Sequence, residues 1–435
     1  MGTMVLSPTL RRPIFTALLV VAAILIWQAS EIWLANHRFL IGNITEMEKG
    51  AALVPGDAEA WDRVGRYYLL NFSDPNIPKA ITEFRRAVKI DPLSQDYWMD
   101  LASAYDANGN DPAAESAYEE AHRVYPASAL ADWNYGNFLL REGKDDQAYQ
   151  EIQLAVRGDP DLLELAISRV WHSSGDVNRL LDNIIPADVN SYITALDFFS
   201  KIHQGKPALA VWQRLTALHQ PVALNRTFVF FSELFEEDDS ADALPAWNEA
   251  VAAAQEPGLA ISGDSLISDG YFQEAFPDGG LGWQWVSQPG TTIDFDDSTP
   301  DAKGRSVRLD FNGGANVNIT EPLEYAAVEP GRSYHFHAEM RTEQITTESG
   351  MRFLVSDARH SGLQIQSDNL IGTNPWTSVD LDVNTPPITH YLAVQLVRDP
   401  SARFDNKLSG TVWIADVSLT PLQGAPSQPQ SSQAQ

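Results

Sequence analysis

Proline recurs at Pro92, Pro126 and Pro160 in two equal steps of 34 residues, and other residue types repeat in phase with it. A period of this length marks a supersecondary unit copied along the chain, each copy too small to bury its own apolar face and stacked on its neighbours to do so. Three copies align. The first carries Trp61, Val64, Gly65, Tyr68, Ala80, Phe84, Ala87 and Pro92, with a short insertion near Asn76 to Pro78. The second carries Trp98, Leu101, Ala102, Tyr105, Ala114, Tyr118, Ala121 and Pro126. The third carries Tyr135, Gly136, Leu139, Ala148, Ile152, Ala155 and Pro160, and has Asp132 where the others have tryptophan. Small residues at Gly65, Ala102 and Gly136 let two antiparallel helices approach, Tyr68 and Tyr105 fill the space between hairpins, and proline stops the second helix.

These residues resemble the tetratricopeptide repeat. The resemblance implies helical hairpins whose first helices line a groove for a protein partner. The pattern decays but continues through a shortened hairpin broken at Ser173 to Asp176, then Tyr192, Phe199, Ala208, Trp212 and Leu215, then Phe230, Phe231, Leu234, Ala243, Trp247 and Ala250. About six hairpins are expected over 43–257. Beside the packing positions of the first helices stand Glu59, Asp62, Arg66, Asp96, Ser103, Asp106, Trp133 and Asn137. Repeats that clamp a terminal carboxylate use Lys, Arg and Asn at such places. The acids here argue against that mode, and a groove formed by Asp62, Arg66, Asp96, Asp106, Trp133 and Asn137 is expected to hold another kind of protein segment. Trp133 reads either as a peptide anchor or as packing against a neighbouring hairpin.

Ahead of the repeats, Arg11 and Arg12 precede an apolar run from Ile14 to Trp27 that extends to Leu34. At about 1.5 Å per residue this approaches the ~30 Å hydrocarbon core. A signal anchor over 13–34 is expected rather than a cleaved signal, because Gln28-Ala29-Ser30 is a poor small-x-small site. The arginines place a stub, 1–12, in the cytoplasm and the bulk outside it, at the inner membrane facing the periplasm.

After Gly258 the apolar period changes from that of helices to two. Val307, Leu309 and Phe311 alternate with Arg308 and Asp310, and Tyr334, Phe336, Ala338 and Met340 alternate with His335, His337, Glu339 and Arg341. Further strands follow at 379–383 and 391–396, separated by Gly, Pro and Asn turns, so 263–422 is expected to be an antiparallel sandwich. The fold class is multidomain α + β: a transmembrane helix, an all-α solenoid and a β-sandwich. A tail over 423–435, rich in Ser, Gln and Pro, is expected to be disordered.

The landmarks DGYFQE (269–274), GLGWQW (280–285), VEPGRSYHFHAEMRT (328–342) and GTVWIADVSLTP (410–421) resemble, in order, the galactose-binding-like jelly roll of carbohydrate-binding modules. The resemblance implies a glycan ligand and, in many members, a structural calcium held by a glutamate after the opening Phe and an aspartate in the last strand. Gln273 takes the glutamate's place with Glu274 one residue on, and Asp416 matches the aspartate. A glycan site is expected on outward-facing residues: Arg308, His335, His337, Arg352, Tyr391, Gln395 and Trp413, planar or multiply hydrogen-bonding groups suited to sugar rings and hydroxyls. Trp413 shares the parity of Val417 and Leu419 and reads equally as core.

Other chemistry finds little support. SGDSLISD at 262–269, with Asp357 and His360 later, imitates an esterase triad, but no alternation of strands and helices supplies the parallel sheet that presents such a serine. The absence of cysteine excludes disulfides, thiol catalysis and thiolate metal sites. A net charge of −28 without a basic cluster argues against nucleic acid. His335 and His337 lack a third ligand nearby in sequence, and Asp294, Asp296 and Asp297 resemble a calcium loop only in being acidic. No catalytic residue or organic cofactor is expected. The leading reading is a membrane-anchored envelope scaffold in polysaccharide assembly or export, with a chaperone-like assembly adaptor as the alternative.

Overall fold

The structure, a computed structural model, describes residues 8–71 and 74–422; the expected tail and residues 1–7 of the expected stub lie outside them. The chain forms two compact units, 1–184 and 185–435. Their boundary falls inside the helical array.

The first unit opens with α1 (Pro8–Ile41), followed by α2 (Ile44–Leu53). Residues 13–41 of α1 are long and apolar enough to cross a membrane by length and composition. The helix runs past the expected end at Leu34, because Ala35 and Phe39 are buried and Phe39 joins the apolar core of Met47, Ala51, Ala60 and Val64. The Arg63 guanidinium lies 4.3 Å from the centre of the Phe39 ring. The apolar helix thus grows directly out of the repeat core.

Four hairpins follow: α3 (Ala58–Leu70) with α4 (Ile77–Ile90), α5 (Gln95–Ala107) with α6 (Asp111–Val124), α7 (Ala129–Arg141) with α8 (Asp145–Gly158), and α9 (Leu163–Ser174) with the short α10 (Val177–Asn183). Local chemistry sets their ends. Asp57 accepts from the Glu59 and Ala60 amides at the start of α3, and Gly175, at φ 62°, closes α9 in the left-handed region before Asp176 caps α10. The small positions work as the sequence implied. A Cβ on Gly65 would lie 2.7 Å from the Phe84 ring, and one on Gly136 would lie 2.7 Å from Ile152 Cγ1. The Trp61 and Trp98 indoles occupy equivalent places, donating to the Pro55 and Pro92 carbonyls at 3.2 and 2.9 Å.

The second unit holds α11 (Val189–Lys201) with α12 (Gly205–Thr216), α13 (Phe228–Glu236) with α14 (Ser240–Ala254), and then nine strands. These are β1 (Thr291–Asp296), β2 (Ser306–Asn312), β3 (Leu323–Ala327), β4 (Ser333–Ile345), β5 (Arg352–Asp357), β6 (Gln364–Gln366), β7 (Gly372–Asn384), β8 (Tyr391–Val397) and β9 (Ser409–Pro421). They make a five-stranded sheet, β1-β2-β9-β4-β7, and a four-stranded sheet, β3-β8-β5-β6, with every adjacent pair antiparallel. Trp283, Leu309, Phe336, Phe353, Val394 and Ile414 belong to the core between them.

Two local features redirect side chains. On β9 the pairing with β4 shifts register between His337 and Glu339, and Asp416 sits at φ 49°, a β-bulge that reverses inside and outside. Val412 and Ile414 face the core before it, and Val417 and Leu419 after it. Trp413 therefore points out, and its parity with Val417 is lost. On β8, almost every residue is buried, not every second one, because Phe235 of α13 packs at a tilt on Tyr325 and Tyr391 with ring centres 4.8 and 5.1 Å apart.

Candidate functional site

Two surfaces carry the expected site residues. On the first unit, the first helices of successive hairpins are joined by charge. Arg66 Nε lies 2.9 Å from Asp62 Oδ2 and 2.6 Å from Asp100 Oδ2 on the next hairpin, and Arg141 pairs with Asp106 one hairpin back. Asp62 is buried, with Oδ1 lacking a hydrogen-bond partner. Burial pushes its carboxyl up to about 8, the neighbouring Asp100 adds repulsion, and Arg66 opposes both. Asp96 is exposed, Trp133 is half-buried, and Asn137 donates to the Trp133 carbonyl at 2.8 Å. Asp100 and Arg141 are the members that sequence reasoning missed.

The seven expected glycan residues do not share one face. Arg308, His335, His337 and Trp413 lie on the five-stranded sheet, and Arg352, Tyr391 and Gln395 on the four-stranded one. Tyr391 is 1% exposed and its hydroxyl donates to the Asp239 carbonyl at 2.8 Å. It belongs to the packing of helix on sheet, which removes it from any glycan surface. Arg352 is held by Gln366 and Asp399, and Gln395 donates to the Thr320 carbonyl at 3.0 Å.

The outer face of the five-stranded sheet carries a continuous polar array. Arg308, Trp413 and Arg341 lie in register on β2, β9 and β4, with the Arg341 and Arg308 guanidinium groups 4.5 and 5.7 Å from the indole centre. The indole N–H of Trp413 donates to Asp296 at 3.1 Å. These neighbours leave Trp413 6% exposed, so it is outward yet covered. Further along, His335 Nδ1 is 2.9 Å from Asp382 Oδ1, and His337 Nδ1 is 2.9 Å from Asp380 Oδ1. The Asp382 hydrogen bond holds His335 above its usual range, while His337 holds Asp380 below that of a free carboxylate. Arg341, Asp380 and Asp382 are additions to the expected set, and their places follow from pairing partners that one strand's pattern does not contain.

The esterase imitation does not assemble into a relay of paired side chains. Ser265 Oγ accepts from the Ile267 and Leu419 amides, whereas His360 sits by Asp357 and by Asp238 of the turn between α13 and α14. Glu274 turns toward Gly258, where an added Cβ would lie 2.3 Å from Oε1, and Asp416 faces Tyr271, with His337 Nε2 4.0 Å away.

No family model matches the chain. A Schizosaccharomyces pombe protein named for cargo transport, ypp1, is 30% identical over 95 residues, 21% of this chain and 11% of its own length. The type IV pilus assembly protein PilF of Pseudomonas aeruginosa is 26% identical over 153 residues, 35% of this chain and 56% of that protein. Among solved structures, Pseudomonas aeruginosa PilF aligns at 18% identity with a TM-score of 0.27, covering 46% of this chain and 95% of that one. A CBM4 structure aligns at 11% identity and TM-score 0.27, covering 36% of this chain and 99% of the other. The enzymatically active domain of bacteriophage CBA120 tailspike protein 4 aligns at 14% and 0.27, covering 36% of this chain and 21% of the other. The chain spans only part of the length of these two curated relatives, and its described residues place paired helices and a two-sheet antiparallel sandwich in one chain.

Proposed function

We propose that this protein is a non-enzymatic scaffold of a bacterial-type envelope, anchored in the inner membrane by α1 with its bulk in the periplasm, and serving polysaccharide assembly or export. Its hairpins hold a protein partner, and its sandwich holds a glycan on the outer face of the five-stranded sheet. The acidic first helices, with Asp96, Asp100 and Asp106, suit a basic segment of that partner.

One observation carries the glycan half. Helix α13 covers the outer face of the four-stranded sheet at Tyr325 and Tyr391, while the opposite face offers Arg308, Arg341, His335, His337, Asp380 and Asp382 to solvent. Guanidinium, imidazole and carboxylate groups alternate there in donors and acceptors, which matches the mixed hydroxyl pattern of a sugar chain. The full chain in detergent micelles is to be run on native gels cast with a panel of bacterial and plant polysaccharides. At least one polysaccharide should retard it, and Arg308→Ala with His337→Ala should abolish the retardation. An unretarded wild type, or an equally retarded variant, leaves the sandwich a structural cap on the last helices. The Phe235 contacts favour that second reading, a chaperone-like adaptor.

A further inference from the structure

The third repeat departs from the other two at one place. Where Trp61 and Trp98 stand, it has Asp132, a carboxylate 3% exposed. A buried acid in place of an aromatic loses packing and desolvates a charge, so it needs a compensating partner. Two side chains meet it, one from each neighbouring helix. His122 of α6 brings Nδ1 to 2.9 Å from Asp132 Oδ1. Glu151 of α8 completes a group whose three ligating atoms all lie within 4.8 Å of one another. Glu151 Oε2 is buried and has no hydrogen-bond partner.

An ion pair between His122 and Asp132 does not account for Glu151. It leaves a second carboxylate beside the first with a buried oxygen unpaired, a costly arrangement. Burial holds both Asp132 and Glu151 above the usual carboxylate range. A divalent cation resolves these costs together, since two carboxylates and a neutral imidazole carry the −2 charge that it neutralises. We propose that His122, Asp132 and Glu151 bind a divalent metal ion of the zinc class, tying α6 of the second hairpin to α7 and α8 of the third.

The donor set selects the class. One imidazole and two carboxylates, without thiolate, suit Zn²⁺ and its first-row neighbours, whereas Mg²⁺ and Ca²⁺ prefer oxygen alone. Three protein ligands leave a fourth tetrahedral position for water. The His122 side chain is 34% exposed, which gives the ion a way in.

The test titrates the full chain, stripped with chelator in detergent micelles, with ZnCl2 by calorimetry, using MgCl2 and CaCl2 as controls. One equivalent of Zn²⁺ should bind at micromolar affinity or tighter and raise the thermal midpoint, with neither control ion doing so. Glu151→Gln keeps the side chain's shape and His122→Ala alters a partly exposed site, so each should keep the wild-type far-UV spectrum. Each should weaken binding by at least about tenfold and remove the rise in midpoint. If one variant fails to fold, the other decides. Absence of one-equivalent binding overturns the proposal. So does full affinity in either folded variant, which would place the ion elsewhere, for example at His335 and His337.

Discussion

Asp62 holds a proton in the folded protein that an unfolded aspartate releases near pH ~3.9. With its carboxyl pushed up to about 8 by burial, the folded state binds more protons than the unfolded state between those values. Stability of the helical unit should therefore fall as pH rises through that window. Asp62→Asn removes the titration while keeping the shape, so its far-UV melting temperature should drop less than that of wild type between pH 5 and pH 8.5. Parallel curves would refute the assignment. The opposite residue-scale case is His335, whose protonated form is favoured by Asp382 and then by Asp380. Its contribution to stability is complete below the unfolded value of ~6.5 and is lost as pH rises through the higher folded value. Histidine NMR titration should show His335 moving back toward its ordinary value in Asp382→Asn.

Among the elements, the hairpins were the most legible in the sequence, because a helix pair must put small residues where its axes approach, and the 34-residue copy repeats that demand. Gly136→Leu should cost the helical unit about 1–3 kcal/mol through overpacking against Ile152, read as a lower urea midpoint; an unchanged midpoint would mean the hairpin register is wrong. The strands were legible as strands, but not always by face. Trp413 was ambiguous because a bulge at Asp416 reverses parity, and a period of two has no way to signal an extra residue. Tyr391 was misplaced for a different reason. Its cover, Phe235 and the Asp239 carbonyl, comes from a helix and turn about 150 residues earlier, and no local pattern on β8 records it. Tyr391→Ala should therefore destabilise the second unit by about 3–5 kcal/mol, measured by chemical denaturation. A near-neutral effect would deny the helix-on-sheet packing.

At the scale of the whole molecule, the apolar N-terminal run was legible from length and composition, whereas its continuation into the repeat core through Ala35 and Phe39 was not, since those residues look like ordinary apolar positions. A phosphatase active only outside the cytoplasm, fused after residue 435, should give activity in cells if α1 holds the bulk in the periplasm. Fusion protein present without activity would reverse the topology. The proposed glycan role makes the five-stranded sheet the working face of the sandwich. Hydroxyl-radical footprinting of the full chain in detergent, with and without each polysaccharide of the panel, tests it most directly. At least one polysaccharide should protect His335, His337 and Arg341 while leaving Tyr325, Arg352 and Tyr391 unchanged. Protection confined to the four-stranded sheet or the helices, or no protection by any polysaccharide, would contradict it.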